Sequence, residues 1–337
     1  MEVLPSAKEE YINNWALRST LANGHTVDEG VEVKAIGPKL KLGGGSFWDE
    51  KTNTLYYVDL IEPAIHRYVP ATEEHSSCKV AESGTVSFVL PVQGKEGSEF
   101  AVGLNRDIVH LTWDGHNSEP SSTKVLCNAE EDIGGNMLND GKADRAGRIW
   151  TGTLKSPAKA GDDAPRISHV YSFENGSDKK IQLSEVGIAN GLTWSTDYKT
   201  FYFIDSCKLK IVAYDFHEES RQIDNERTVF DFKAKDIGGL PDGMTTDSEG
   251  KLWIAIYMGG KVIRIDPESG ELLYTLPMPC YEVTSVVFGG PNLDDLYVTS
   301  GSLVADYDKE KFPQPGQTFK VSNLGFRGTP SLPVKLS

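Results

Sequence analysis

The stretches TTDSEGKLWIAIY (residues 245–257) and KVIRIDPESGELLYTL (residues 261–276) decide the fold. The first is a turn rich in Asp and Gly that runs into a short aromatic and β-branched segment, which is typical of a strand. The second alternates apolar and polar residues on both sides of Asp-Pro-Glu-Ser-Gly, which is typical of a hairpin. Together they predict a unit of several consecutive antiparallel strands.

This unit recurs along the chain. Related stretches are WDEKTNTLYYVDL (48–60), GKADRAGRIWTGTL (141–154), WSTDYKTFYFIDS (194–206), FGGPNLDDLYVTS (288–300) and a degenerate VQGKEGSEFAVGL (92–104). The first apolar residues after each turn are Leu55, Phe100, Ile149, Phe201, Leu252 and Leu296. Their separation of about 45 to 50 residues predicts an all-β, six-bladed β-propeller with four-stranded antiparallel blades around a central channel. An irregular β-sandwich with similar turns is the alternative.

One propeller accounts for most of the chain. We predict a single domain over residues 35–337, preceded by an extension, residues 1–34, to which the sequence assigns no role. The 33 glycines among 337 residues suit many short strands separated by turns and exclude a helical bundle.

Charge and composition exclude several classes of protein. The 34 basic and 49 acidic residues give a net charge of −15, which argues against nucleic acid as a partner. The sequence has no apolar run long enough to span a membrane and no signal-peptide pattern at its start. Four widely spaced cysteines without a CxxC motif indicate free thiols. We expect a soluble cytoplasmic protein, a monomer or weak dimer, that acts on a small molecule.

Residues about ten to twelve positions before each repeat anchor should converge on the channel, because the first strand of every propeller blade lines it. These residues are Gly44, Asn139, Asn190, Asp242 and Thr284, with Ser87 as the approximate counterpart in the degenerate repeat. One carboxylate and two amides form an oxygen-only set that favours a hard cation, Ca²⁺ or Mg²⁺. The alternative is that Asn-Gly and Asp-Gly are ordinary turn dipeptides. The sequence contains no Gly-x-Ser-x-Gly, HExxH, EF-hand or P-loop motif.

Several motifs resemble those of a known family. They are LYYVDL, LNDGKAD with GRIWTGT, IANGLTWS, LPDGM, GKLWIA, VIRIDP, TSVVFGGPNLDDLYVTS and LGFRG. From about Gly43 to Arg327 the chain resembles the family of regucalcin (senescence marker protein), gluconolactonase and the firefly luciferin-regenerating enzyme, and most of all the insect luciferin-regenerating branch. The resemblance implies a six-bladed propeller and a divalent cation, Ca²⁺ first, with Mg²⁺, Mn²⁺ and Zn²⁺ as alternatives.

The resemblance also implies a metal site, with one departure. Asn190 and Asp242 match the family's cation ligands, but the position of the third ligand, a Glu, is occupied by Gly44. Since affinity depends on the number of charged ligands, the cation is expected to bind weakly or not at all, unless Asp140 contributes.

Two further departures concern the substrate. The family's Arg-x-Asn matches Met137-Leu138-Asn139, so the Asn is kept and the Arg is lost. A substrate-binding Glu of the regucalcin branch falls near Pro157. With Met137 in place of Arg, the mouth of the channel becomes apolar and adaptable, and the substrate is expected to be less sugar-like than gluconolactone.

Three functions remain open. The first is metal-assisted hydrolysis of a small lactone or ester, with Asn190 and Asp242 holding the cation, Asp242 or Asp140 moving protons, and Asn139 and Met137 contacting the substrate. The second is a hydrolytically impaired propeller that binds a small apolar ligand or acts as a scaffold. The third keeps the fold but uses different esterase or condensing chemistry.

Overall fold

The computed structural model describes residues 30–131, 133–155 and 165–336. These residues form six four-stranded antiparallel sheets, so the predicted six-bladed propeller is confirmed. Blade one contains β2 (Gly43–Asp49), β3 (Thr54–Asp59), β4 (Ala64–Val69) and β5 (Glu74–Lys79). Blade two contains β6 (Val86–Pro91), β7 (Glu99–Leu104), β8 (Asp107–Thr112) and β9 (Ser122–Asn128). Blade three contains β10 (Asn136–Ala143), β11 (Ile149–Lys155), β12 (Ser168–Glu174) and β13 (Asp178–Val186).

The other three blades follow the same order. Blade four contains β14 (Ala189–Trp194), β15 (Thr200–Asp205), a 3-10 helix (Ser206–Lys208), β16 (Lys210–His217) and β17 (Gln222–Asp231). Blade five contains β18 (Leu240–Thr246), β19 (Leu252–Tyr257), β20 (Lys261–Asp266) and β21 (Glu271–Pro277). Blade six contains β22 (Glu282–Gly289), β23 (Asp295–Gly301), β24 (Thr318–Ser322) and β1 (Glu32–Ile36). No helix in these ranges is long and apolar enough to cross a membrane.

The N-terminal strand closes the ring. β1 pairs antiparallel with β24, from Glu32 opposite Ser322 to Ile36 opposite Thr318. The expected boundary between residues 34 and 35 therefore falls inside this strand. Most of the expected extension, residues 1–29, lies outside the described residues. Pairing β1 with β24 completes the four-stranded sheet of blade six and links the first strand of the chain to the last blade.

The repeat anchors occupy one structural position. Each of the six lies in the second strand of its blade and is fully buried: Leu55, Phe100, Ile149, Phe201, Leu252 and Leu296. The repeat therefore reflects a layer of apolar side chains packed between neighbouring blades, where burial of each large side chain stabilises the fold by about 1.5–3 kcal/mol.

The turns before the anchors of blades three and five are each held by a buried aspartate. Asp247 accepts hydrogen bonds from the backbone N–H groups of Glu249 and Lys251, from the Trp253 indole at 2.9 Å and from Arg264 Nε at 2.7 Å. Asp144 makes the equivalent contacts in blade three. A buried carboxylate with this many donors has its hydrogen-bonding capacity satisfied, so it fixes both the turn and the strand that follows.

The first strand of every blade contains a β-bulge, at which it carries one more residue than its partner strand. A bulge redirects side chains and bends the strand. The bulges contain Ser87, Asn139, Asn190, Asp242 and Thr284, while in blade one the bulged residues are Gly45 and Ser46.

The interpretation of Asn-Gly and Asp-Gly as turn dipeptides is wrong, because Asn190-Gly191 lies within β14 and Asp242-Gly243 within β18. The glycines are required by close contact between blades. A Cβ at Gly191 would lie 2.6 Å from the carbonyl oxygen of Asp242, and one at Gly243 would lie 2.8 Å from that of Thr284. The motifs therefore lie where adjacent first strands approach each other around the channel.

The C-terminal segment, residues 328–335, crosses one end of the channel. Gly328 forms a bridge with Asp247 in the turn of blade five, and Val334 forms a bridge with Val92 next to blade two. Lys335 N then donates to Gly147 O at 2.8 Å in the turn of blade three. The segment thus ties three blades together at the end of the channel that carries the turns between first and second strands.

Candidate active site

A chain of hydrogen bonds joins blades three, four and five at the other end of the channel. Asn139 Nδ2 donates to Ala189 O at 2.7 Å and lies 3.3 Å from Asn190 Oδ1. Asn190 Nδ2 donates to Ser206 Oγ at 3.0 Å, and Ser206 donates to Pro241 O at 2.6 Å, next to Asp242. Three of the sequence-predicted positions are therefore brought together, with Asn190 held by partners on both sides.

Two carboxylates and one ammonium group lie close together in this part of the channel. Burial raises the pKa of Asp242 well above its ordinary value, and the charge of Asp140 raises it further. Hydrogen bonds from the Gly243 N–H and the Asn190 amide lower this pKa but do not cancel the increase. Burial also raises the pKa of Asp140 to about 6, although Lys142 opposes this shift. The side chains keep some contact with channel solvent, but the surrounding blades remove most of the water that would stabilise their charge.

Lys142 is the partner of this acidic pair and was not predicted as a site residue. Its Nζ donates to Met244 O at 2.6 Å. Burial lowers its pKa to about 8, while Asp140 acts in the opposite direction. The sequence gives little signal for it: Lys142 follows Asp140 by two residues in β10, but the bulge that contains Asn139 and Asp140 interrupts the alternation of faces.

Gly44 does not contribute a ligand, and another side chain takes the space beside it. A Cβ at residue 44 would lie 2.8 Å from Leu60 Cδ1, and Leu60 is only 7% exposed. At Gly45 a Cβ would lie 2.6 Å from Ser87 O, so the backbone of blade two excludes a side chain there. Asp59 is the acid nearest to Leu60 in sequence, and it accepts four backbone N–H hydrogen bonds. Leu60 was not identified from sequence, since only the folded chain places it against Gly44.

Met137 belongs to an apolar wall beside Asn139. It packs against a small cluster formed by Leu154, Ile188 and Cys207. Its sulfur accepts a weak hydrogen bond from Thr85 Oγ1 at 3.6 Å. The position that the resemblance matches to an Arg of the family is therefore apolar here. Pro157 lies outside the described residues.

The expected thiol state of the cysteines agrees with the structure, since none of Cys78, Cys127, Cys207 and Cys280 forms a disulfide. Burial raises the pKa of the Cys78 and Cys280 thiols to about 12. These two residues therefore behave as apolar core residues rather than as nucleophiles.

The donors present fit a hard divalent cation with few protein ligands. Asn190 offers an amide oxygen and Asp242 a carboxylate, and Asp140 is close enough to raise the pKa of Asp242. Burial is the main cause of the raised pKa values of Asp140 and Asp242, and a bound cation would favour the charged forms of both acids. Among the described residues there is no group of three or more His, Cys, Asp or Glu side chains arranged for a metal. A cation here would thus depend on Asp242, Asn190, water and substrate.

Comparison with known proteins agrees with this architecture. Regucalcin of Xenopus laevis is 34% identical over 295 residues, which cover 87% of this chain and 94% of the frog protein. The solved structure of a luciferin-regenerating enzyme has a TM-score of 0.86 and 41% identity, and covers 91% of this chain and 100% of its own. A calcium-binding regucalcin from Agrobacterium tumefaciens has the same fold at a TM-score of 0.77, with 22% identity and 88% and 94% coverage.

The sequence family described as the SMP-30/Gluconolactonase/LRE-like region matches residues 42–302, which span all six blades except the last two strands of blade six. Together with the similarity to regucalcin and to the luciferin-regenerating enzyme, this match confirms the resemblance inferred from the motifs. The chain belongs to the SMP-30/gluconolactonase/LRE-like family.

Proposed function

We propose that this protein is a cation-assisted hydrolase of a small, largely apolar lactone or related ester. The observation that carries the proposal is the convergence of Asn139, Asn190 and Asp242 beside the pair formed by Asp140 and Lys142. Family membership supports it, because the family includes gluconolactonases. Hydrolysis adds one water across the acyl C–O bond and yields a hydroxy acid from a lactone, or an acid and an alcohol from an ester.

Asn190 and Asp242 would hold the cation. When bound, the cation polarises the substrate carbonyl and lowers the pKa of the attacking water. The amide of Asn190 is fixed by Ser206 on its Nδ2, and its oxygen, which accepts one long hydrogen bond from Asn139 Nδ2 at 3.3 Å, keeps a second lone pair for a cation. Asp242 supplies the anionic ligand, so its loss removes the charge on which cation binding depends.

Asp140 is the residue suited to proton transfer. Its pKa of about 6 lets it accept a proton from water at neutral pH and return that proton to the ring oxygen that leaves the acyl carbon. Lys142 stabilises the charged form of Asp140 between these two events. Asn139 can orient the substrate through its amide, while Met137 and the adjoining apolar wall bind the part of the substrate that carries no hydroxyl groups.

Activity assays on metal-free and metal-loaded protein test this function. We expect ring opening of an alkyl-substituted lactone after addition of Ca²⁺, Mg²⁺, Mn²⁺ or Zn²⁺, at a higher kcat/KM than for glucono-lactone. The variant Asp242→Asn keeps the shape of the side chain and should reduce kcat/KM by a factor of about 100 or more, in the range of other losses of transition-state stabilisation. Unchanged activity in this variant would contradict the assignment.

The position of Leu60 favours a second candidate, a propeller that has lost hydrolysis and binds a small apolar ligand. Leu60 lies where a side chain at position 44 would extend, and Met137 adds a second apolar surface at the same mouth. Calorimetric titration with Ca²⁺ separates the two functions. Absence of binding up to about 10⁻³ M, the weak end of protein calcium sites, together with absence of lactonase activity, would favour the second candidate.

A further inference from the structure

A cavity lies at the end of the channel opposite Asn139. Its volume is about 290 Å³, close to the lower limit for small-molecule sites. The walls are formed by the ends of the first strands and the turns that follow, including Lys142, Trp194, Tyr198 and Thr245. The segment 329–332 forms its remaining side. We call this space the turn-side chamber.

The chamber depends on the C-terminal segment. Thr329 donates through its backbone and its hydroxyl to Thr246 O, at 3.3 and 3.0 Å. Beyond the chamber, Val334 and Lys335 attach the segment to blades two and three. The chain end is therefore fixed on both sides of the cavity and encloses it.

The polar groups around the chamber are suited to an anion. Lys142 and Arg145 both line the chamber, and no Asp or Glu is found among the described residues that line it. Arg145 forms an ion pair with Glu218 and lies 4.8 Å above the Tyr198 ring, so its charge is largely balanced. Lys142 donates to a neutral carbonyl oxygen and shares its charge with Asp140, which does not line the chamber, so its remaining N–H groups can serve a ligand there.

The other surfaces of the chamber are suited to a ring. Trp194 and Tyr198 stack at 5.9 Å with 10° between their planes, and Phe47, Leu90 and Leu332 supply further apolar contact. The indole N–H of Trp194 is buried without a hydrogen-bond partner among the described residues. A buried donor of this kind costs about 1–3 kcal/mol unless a ligand or water accepts from it.

We propose that the turn-side chamber binds a small aromatic carboxylate, whose carboxylate contacts Lys142 and whose ring packs against Trp194. Such a molecule matches the cationic end, the apolar walls and the volume of the chamber. This site shares Lys142 with the group that contains Asp140 and Asp242, but its other lining residues do not belong to that group, and its existence does not depend on hydrolase activity.

Calorimetry with 4-hydroxybenzoate tests the proposal on the full chain, with 4-hydroxybenzamide as the uncharged control. We expect 4-hydroxybenzoate to bind at least about tenfold more tightly than the amide, since a hydrogen bond to a charged group contributes about 1.5–3 kcal/mol. The proposal would be overturned by equal affinity for the two compounds. It would also be overturned if 4-hydroxybenzoate did not bind at concentrations up to about 10⁻² M, which corresponds to very weak binding.

Variants locate the binding. Ser331→Phe places a ring in the chamber and should abolish binding, whereas Lys335→Phe adds the same ring to the same segment outside the lining and should leave it unchanged. Lys142→Met should weaken binding about tenfold or more. Asp242→Asn should not weaken it. Binding that survives Ser331→Phe, or that is lost in Asp242→Asn, would show that the ligand occupies the other mouth and would refute the chamber as its site. Ser331 lies on a surface segment, so this comparison remains decisive even if Lys142→Met does not fold.

Discussion

Restoring a carboxylate in blade one should strengthen cation binding, but only if Leu60 is removed at the same time. A Cβ at residue 44 meets Leu60 Cδ1 at 2.8 Å and no other atom within 4 Å outside the neighbouring residues. Gly44→Glu alone is therefore expected to be blocked by one movable side chain. The double variant Gly44→Glu, Leu60→Ala opens that space and raises the number of direct carboxylate ligands from one to two.

The size of the effect follows from the added charge. In a site with an effective dielectric constant of about 20, attraction between a carboxylate and a divalent cation at about 4 Å is several kcal/mol, most of which desolvation offsets. We expect a net gain of about 1.4–2.7 kcal/mol, or about 10- to 100-fold in the Kd for Ca²⁺. Calorimetry on metal-free protein at fixed ionic strength measures it directly.

Two control variants distinguish the effect of the added carboxylate charge from the effect of the space opened by removing the Leu60 side chain. Leu60→Ala alone should leave the Kd for Ca²⁺ within about twofold, because it adds no ligand, although loss of a buried Leu side chain should lower stability by about 2–5 kcal/mol. Gly44→Gln with Leu60→Ala supplies a neutral oxygen at the same place. If the Glu and Gln double variants bind Ca²⁺ equally, the reasoning that affinity here is limited by ligand charge is refuted.

Three further predictions concern other parts of the molecule. Met137→Arg should shift kcat/KM from alkyl lactones toward hydroxylated or carboxylated ones, and an unchanged preference across a lactone panel would show that this residue does not contact substrate. Asp247→Asn should destabilise the protein by about 3 kcal/mol in urea unfolding, because it removes the buried carboxylate partner of Arg264 and leaves only the exposed Glu249, and a loss below about 1 kcal/mol would contradict this. His66 is buried beside His75, and burial lowers its pKa to about 3, so its folded form binds fewer protons than its unfolded form. The stability it contributes is full above about pH 6.5 and is lost as the pH falls below that value, by about 1.4 kcal/mol at pH 5.5. Since His66→Phe cannot take up this proton, its unfolding free energy should change less between pH 7.5 and 5.5 than that of the unaltered protein, and an equal change would rule out His66 as the source.

The fold could be predicted because each repeat is specified by residues that are close together in the sequence. A turn such as Asp247 to Lys251, followed by the buried anchor Leu252, is specified by residues close in sequence, and six such units are enough to define the propeller. The closing strand β1 has no such signal. Its pairing with β24 joins residues almost 300 positions apart, which local periodicity does not report.

The candidate site was predictable in part for the same reason. Asn139, Asn190 and Asp242 share one position of the repeat, and the bulge in each first strand brings that position to the channel. Leu60 and the segment 329–332 escaped prediction, because their roles depend on contacts between distant parts of the chain. The turn interpretation of Asn-Gly and Asp-Gly stayed open as an alternative, since a sequence does not distinguish a turn from a close approach of two strands.

Two of the departures that the resemblance implies, those at Gly44 and Met137, also make sense as a pair. Relative to the family pattern, Gly44 in place of Glu removes one negative charge and Met137 in place of Arg removes one positive charge, so these two changes offset each other in net charge. In both places an apolar side chain now forms the surface: Leu60 beside Gly44, and Met137 itself against Ile188 and Cys207. What remains charged is the inner group of Asp140, Lys142 and Asp242, whose balance does not depend on either lost residue. This pattern favours a change of substrate over simple loss of the site, because loss of the site alone would not require the substrate position to become apolar as well.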